Sequence, residues 1–266
     1  MTPLQAAVLG AVQGLTEFLP VSSSAHLYVV PRLLGWPYAG VAFDVALHAG
    51  TLLALVVAFW REWWTLARDA FAPTTEGAEA RGLWLKLIVA TIPAAIAGKL
   101  LEHAAETQLR SLPLQAAMLA IFGALLWAVD RWRPAEGGPD EPSQVHWGTA
   151  LSMGFAQILA LVPGVSRSGI TMTAGRATGL SRVTAARFSF LLATPITFGA
   201  LVLEARHMPR DVPAPVLALG IATSAVVGLF AIRGLIRWLG RAGFGVFFAY
   251  RLALAAVILF ALARHP

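Results

Sequence analysis

The sequence predicts an all-α, polytopic integral membrane protein: six transmembrane helices plus two re-entrant helical elements, arranged as an inverted repeat. Three observations predict it. Hydrophobic residues make up 58% of the 266 and charged residues only 13%, against about 25% charged in an average soluble domain. Six runs are long and apolar enough to cross a hydrocarbon core of about 30 Å. A polar-tipped segment near the start recurs, shifted by 144 positions, near the middle.

In chain order, residues 1–19 form an apolar stretch that runs straight into Pro20 and a serine triplet. It is too short to span and ends in helix-breaking, hydrogen-bonding residues, the pattern of a segment that dips into the bilayer and turns back. No charged region precedes it, so a cleaved signal peptide is not expected. Spans are expected at 39–60, 83–101 and 113–129, joined by a charged loop over 61–81. A Pro-, Gly- and acid-rich linker at 133–142 precedes a second re-entrant candidate, 147–162, which ends in Pro163-Gly164. Spans at 186–203, 213–236 and 244–263 complete the chain.

Shifting by 144 positions aligns Ala6, Gly10, Gln13, Leu15, Val21, Ser22 and Ser24 with identical residues at 150, 154, 157, 159, 165, 166 and 168. The halves, 1–132 and 147–266, each hold one re-entrant element and three spans. Three is odd, so the second half is expected upside down relative to the first, with both re-entrant tips meeting near the midplane.

The net charge is +6, and 18 of the 20 basic residues are Arg. They are scattered between apolar runs instead of forming a stripe, which argues for a lipid bilayer as partner and against nucleic acid. Placing Arg61, Arg68, Arg81, Arg131, Arg133, Arg233, Arg237 and Arg241 in the cytoplasm leaves Arg32, Arg110, Arg206, Arg210 and Arg264 outside, with both termini. With no cysteine there is no disulfide, thiolate metal site or Cys nucleophile.

Twelve of the fourteen carboxylates fall in loops or at span ends, where solvation accounts for them. Glu17 and Asp44 do not, and an intramembrane carboxylate costs about 2.5–3.5 kcal/mol on the insertion scale, which makes it a site candidate. Glu17 sits in a dense polar cluster with Gln13, Thr16, Ser22, Ser23, Ser24 and His26. Gln13 and Glu17, four apart, share a helix face with Gly10. A hydroxyl nucleophile needs a base, and Glu17 and His26 are the two groups at hand. The second tip, Pro163-Gly164-Val165-Ser166-Arg167-Ser168-Gly169, supplies a forked cation between hydroxyls and glycines, a setting for phosphate or carboxylate. Together the tips suit phosphoryl transfer, where positioning and charge neutralisation carry the rate. Asp44 and His48, also four apart, read as a buried pair bracing the site; Lys86 and Lys99 read as snorkelling at span ends.

The run Gln13-Gly14-Leu15-Thr16-Glu17-Phe18-Leu19-Pro20-Val21-Ser22-Ser23-Ser24-Ala25-His26, together with Pro163 to Gly169, closely resembles the two signature motifs of the undecaprenyl-diphosphate phosphatase family of the bacitracin-resistance type. The resemblance extends to Phe43-Asp44, Phe59-Trp60-Arg61, Ala90-Thr91-Ile92-Pro93 and Arg187-Phe188-Ser189-Phe190-Leu191-Leu192. It implies a bacterial inner-membrane enzyme that removes the terminal phosphate of a polyprenyl diphosphate, with its active site facing the periplasm. By motif position it assigns catalytic roles to Glu17, Ser23, His26 and Arg167 and substrate contacts to Gln13, Ser22, Ser24, Gly164, Ser166 and Ser168. A divalent cation, Mg2+ or Ca2+, with Glu17 as its one candidate ligand, rests on the resemblance alone. So does a homodimer, for which the small residues Gly220, Ser224 and Gly228 would allow close helix contact. The chain departs from the family's pattern at Gln13, where some members carry Glu, at Asp44 and His48, where Glu and Gln are expected, and at Ala25, a usual Gly. The nucleophile stays open between Ser23, His26 and a water activated by Glu17. A transporter is the main rival class, since inverted repeats with re-entrant tips are transporter architecture. An intramembrane serine protease is weaker, because Arg167 follows Gly164-Val165-Ser166 where a G-x-S-G elbow needs Gly.

Overall fold

The computed structural model describes residues 1–106, 108–133, 138–139, 141–204, 209 and 212–264. They form the α-helices α1 (Pro3–Phe18), α2 (Ser23–Leu33), α3 (Val41–Ala58), α4 (Trp60–Asp69), α5 (Thr75–Glu106), α6 (Leu112–Trp132), α7 (Trp147–Leu159), α8 (Arg167–Ala177), α9 (Arg182–Glu204), α10 (Ala214–Leu239) and α11 (Gly245–Arg264), with no strand among the described residues. Six helices, α3, α5, α6, α9, α10 and α11, are long and apolar enough to cross a membrane, and they coincide with the six expected spans. Arg206 and Arg210, which entered the orientation argument, lie outside the described residues.

Two segments expected as loops are partly helical. Within 61–81, Trp60–Asp69 forms α4, because its apolar residues fall on one face: Leu66 is buried, Trp63 packs against Trp84, and the Trp84 indole donates to the Leu66 carbonyl. The chain then re-enters helix at Thr75 with the Thr74 hydroxyl accepting from Gly77 N–H at 3.2 Å. The serine tips also do more than turn. Each opens a second helix, α2 and α8, whose N-caps are Ser22 and Ser166.

These two helix–turn–helix elements match in backbone detail. Ser22 and Ser166, 144 apart, are the two non-glycine residues with positive φ among those described, both at 74°. The helices that follow them, 23–33 and 167–177, obey the same offset. Packing repeats too: α1 lies along α10 and α7 along α5, while α3 packs on α9 and α6 on α11. Both close contacts depend on glycine. A Cβ at Gly10 would strike the Gly220 carbonyl, and one at Gly154 the Ala90 carbonyl. The Gly220, Ser224 and Gly228 stripe offered for a dimer contact is therefore consumed within the chain, against α1 and α3, with Ser224 fully buried and its hydroxyl on the Leu47 carbonyl at 3.0 Å. Gly154→Ala is expected to lower stability by about 1–3 kcal/mol. Gly148→Ala, on the same helix with open space at its Cβ, should hold or raise it, as read by thermal unfolding in detergent.

One carboxylate assigned to solvated loops is buried. Asp130 accepts from Arg176 at 3.0 Å and Arg182 at 2.8 Å, and Arg176 is itself 1% exposed with further bonds to the Leu180 and Arg133 carbonyls. This cluster ties the ends of α6, α8 and α9 together. Lys86 does not snorkel freely either; its ammonium donates to the Ser143 carbonyl at 2.8 Å.

Candidate active site

Gly10, Gln13 and Glu17 form the buried face of α1, as their spacing requires. α1 stops at Phe18 ahead of Pro20, and Val21 N–H closes a tight turn on the Leu19 carbonyl at 2.7 Å. That turn swings Ser23 back toward the helix it has just left. The Ser23 hydroxyl donates to Glu17 Oε2 at 2.5 Å, and Gln13 Nε2 donates to the same oxygen at 3.2 Å. The other oxygen, Oε1, pairs with Arg167 Nη2 from the second turn. Glu17 is therefore the junction at which the two tips meet.

The turns are also stitched backbone to side chain. Gly164 N–H donates to the Ser22 hydroxyl and the Ser168 hydroxyl to the Leu19 carbonyl, each at 3.2 Å. Gly164 sits at φ 98°, and a Cβ there would lie 2.6 Å from the Gln115 carbonyl oxygen, so glycine is required on both counts. Beneath both turns lies Arg251, fully buried, whose guanidinium donates to the carbonyls of Pro20, Met118, Leu119, Gly164 and Val165 at 2.8–3.3 Å.

A cavity of about 450 Å³ opens at this junction. Its polar part is made by Glu17, Ser22, Ser23, Ser24, His48, Ser166 and Arg167; its walls include Ala94 and Ala95 of α5, Ile196 and Ala200 of α9, and Ala160 and Leu161 just past the end of α7, with Lys99 and Glu204 toward the ends of α5 and α9. The N-termini of α2 and α8 both reach it, adding the positive ends of two helix dipoles to the Arg167 charge. Hydroxyl, carboxylate, guanidinium and helix N-termini at a pocket with an apolar continuation fit an anionic headgroup on a hydrocarbon chain.

Residues 6–257 match the family model described as bacitracin resistance protein BacA. The chain belongs to the BacA family. It is 49% identical to the undecaprenyl-diphosphatase of Pelotomaculum thermopropionicum over 100% of this chain and 99% of that protein. It is 50% identical to that of Gemmatimonas aurantiaca over the full length of both, and 46% identical to that of Desulforudis audaxviator over 99% of this chain and 100% of the other.

In this BacA chain the expected site residues divide into those that line the cavity and those that support it. Glu17, Ser22, Ser23, Ser24, Ser166 and Arg167 line it; Gln13, Gly164 and Ser168 hold the turns together from behind. His26 is turned away. Its Nδ1 contacts the Ser22 carbonyl and its Nε2 the Tyr250 hydroxyl, each at 2.7 Å, with the two rings stacked. Both ring nitrogens being engaged, the structure gives His26 no free base facing the cavity; it braces the first turn against α11.

The residue that stands beside Glu17 is His48, with Nε2 3.5 Å from Oε2 and Nδ1 on the Asp44 carbonyl at 2.8 Å. The expected Asp44–His48 pairing of side chains does not form. The Asp44 carboxylate accepts instead from Tyr38 at 2.6 Å, whose hydroxyl in turn accepts from Arg110. Arg251 was the other residue that motif spacing passed over. An arginine in the middle of a 20-residue apolar helix carries the same signal as an intramembrane carboxylate, and that signal points to it.

Proposed function

We propose that this chain is an undecaprenyl-diphosphate phosphatase, hydrolysing the terminal phosphate of undecaprenyl diphosphate to give undecaprenyl phosphate and inorganic phosphate. That reaction returns the lipid carrier to peptidoglycan synthesis and underlies bacitracin resistance. Support comes from 49–50% identity, over the full length, to relatives of that name and, within the chain, from one contact: the Ser23 hydroxyl donating to the Glu17 carboxylate beside Arg167.

In the proposed chemistry the diphosphate takes Arg167 as its counter-charge, with the N-termini of α2 and α8 addressing its oxygens. Ser23 Oγ attacks the terminal phosphorus as its proton passes to Glu17 Oε2, and the bridging P–O bond breaks to release undecaprenyl phosphate. Water then attacks the phosphoserine, its proton goes to bulk solvent as inorganic phosphate departs, and Glu17 returns its own proton to Ser23 Oγ. The alternative, direct attack by a water activated by Glu17, uses the same residues without the covalent step.

A resident metal is a poorer fit. Among the described residues no three His, Asp or Glu side chains converge as ligands, and both oxygens of Glu17 already accept from protein donors. A cation travelling on the substrate's own phosphates is held by as few as one or two carboxylates, and that is the form in which Mg2+ or Ca2+ is compatible with this donor set.

The membrane is proposed to be the bacterial plasma membrane, with the cavity on its periplasmic side and the two halves inverted. α5 and α9 begin near Arg81 and Arg182 and line the cavity with their later turns, so the basic ends lie away from it, as positive-inside placement asks.

Ser23→Ala tests the reading. Phosphate release from undecaprenyl diphosphate by the purified protein should fall by about a thousandfold or more, with substrate still bound. Residual release within about tenfold of wild type would move the nucleophile to water. Substrate-dependent flux without phosphate release, in the wild type, would favour a transporter.

A further inference from the structure

Gln157, on α7, also lines the cavity that holds Glu17 and Arg167. It is 3% exposed, and neither its Nε2 nor its Oε1 has a hydrogen-bond partner. Its counterpart at the 144-residue offset, Gln13, is employed within the protein, donating to Glu17 four residues on. The residue four beyond Gln157 is Leu161, also in the cavity wall, so the repeat has kept the amide and removed its partner. A buried amide without a partner is costly and is kept where something outside the fold satisfies it. The neighbouring guanidinium shows the same pattern, since Arg167 Nη1 is buried and unpartnered while Nη2 holds Glu17. Two sets of N–H donors thus stand idle at the wall where the proposed diphosphate would lie.

We infer that Gln157 is a substrate-binding residue, its Nε2 donating to a non-bridging phosphate oxygen of the diphosphate beside Arg167 Nη1. This rests on the phosphatase reading. It separates the two repeat-related glutamines: Gln13 orients the base, and Gln157 addresses the substrate. A merely structural glutamine would lose stability on replacement by an apolar residue of similar size, whereas a ligand-facing one loses affinity and none of the fold.

The test measures phosphate release against undecaprenyl diphosphate concentration, inhibition by inorganic phosphate, and the melting temperature, for wild type, Gln157→Leu, Gln157→Met and Gln157→Glu. In Gln157→Leu and Gln157→Met, KM and the inhibition constant for phosphate should both rise at least tenfold, with kcat changed less and the melting temperature equal to or above wild type. Gln157→Glu should have a lower kcat/KM than either, because a carboxylate repels phosphate. Wild-type KM and phosphate inhibition in the apolar variants would overturn the inference, as would a fall in melting temperature in both, since the amide would then serve the fold. A wild type that releases no phosphate would overturn the reading on which it rests.

Discussion

Glu17→Gln is expected to lower kcat for phosphate release by about 10²–10⁴-fold while leaving KM unchanged or lower. The substitution keeps size and leaves an oxygen to accept from Ser23, but it removes the group that would take the Ser23 proton across the 2.5 Å contact. It also frees Arg167, which otherwise divides its charge between Glu17 and the incoming phosphate. Loss of the base and release of the cation act in opposite directions on rate and affinity, and that split distinguishes a base from a residue that merely holds the turns. Steady-state kinetics with a parallel thermal melt reads it. A variant retaining kcat within tenfold would show that the proton goes elsewhere.

Arg251→Met is expected to produce the largest structural effect. The methionine would fill most of the space, yet leave the Pro20, Gly164 and Val165 carbonyls of the two turns without this donor and remove the extra bonds to Met118 and Leu119, whose carbonyls keep their helix partners in α6. Each buried group left unsatisfied costs about 1–3 kcal/mol, so the three turn carbonyls together should cost about 3 kcal/mol or more, and activity should fall with it as Pro20, Gly164 and Val165 lose their common anchor. Arg251→Lys keeps the charge but carries its three N–H donors on a single nitrogen and cannot reach all five acceptors, and should lie between wild type and the methionine variant. Melting temperature and phosphate release, measured on the same detergent preparations, check both. A methionine variant melting within about 2 °C of wild type would show that the turns hold their own geometry.

The spans were legible because each is a long apolar run, and crossing a hydrocarbon core demands that whatever the partners. The helix α4 was not, since its Trp- and Arg-rich stretch reads as a charged loop until Trp63 and Leu66 find Trp84 to cover. The second helices α2 and α8 were hidden for a related reason. Serines that end one helix are equally good at starting the next, and local sequence does not say which they do.

At the site, Gln13, Glu17, Ser23 and Arg167 could be picked out because a polar residue in an apolar setting is costly enough to need a purpose. Composition, apolar periodicity and the 144-residue repeat determined by themselves that the chain is a six-span helical membrane protein with two polar tips. Distances in space decided the rest. His26 and His48 lie nine and thirty-one residues beyond Glu17 in sequence, yet the nearer one turns away to Tyr250 and the farther one stands beside the carboxylate. Asp130 reads as a loop acid and is a buried anchor, and the Gly220 stripe reads as an outer face and is an inner one. Each of these depends on which helices pack together, and packing is set by the fit of whole surfaces, which no window along the chain contains.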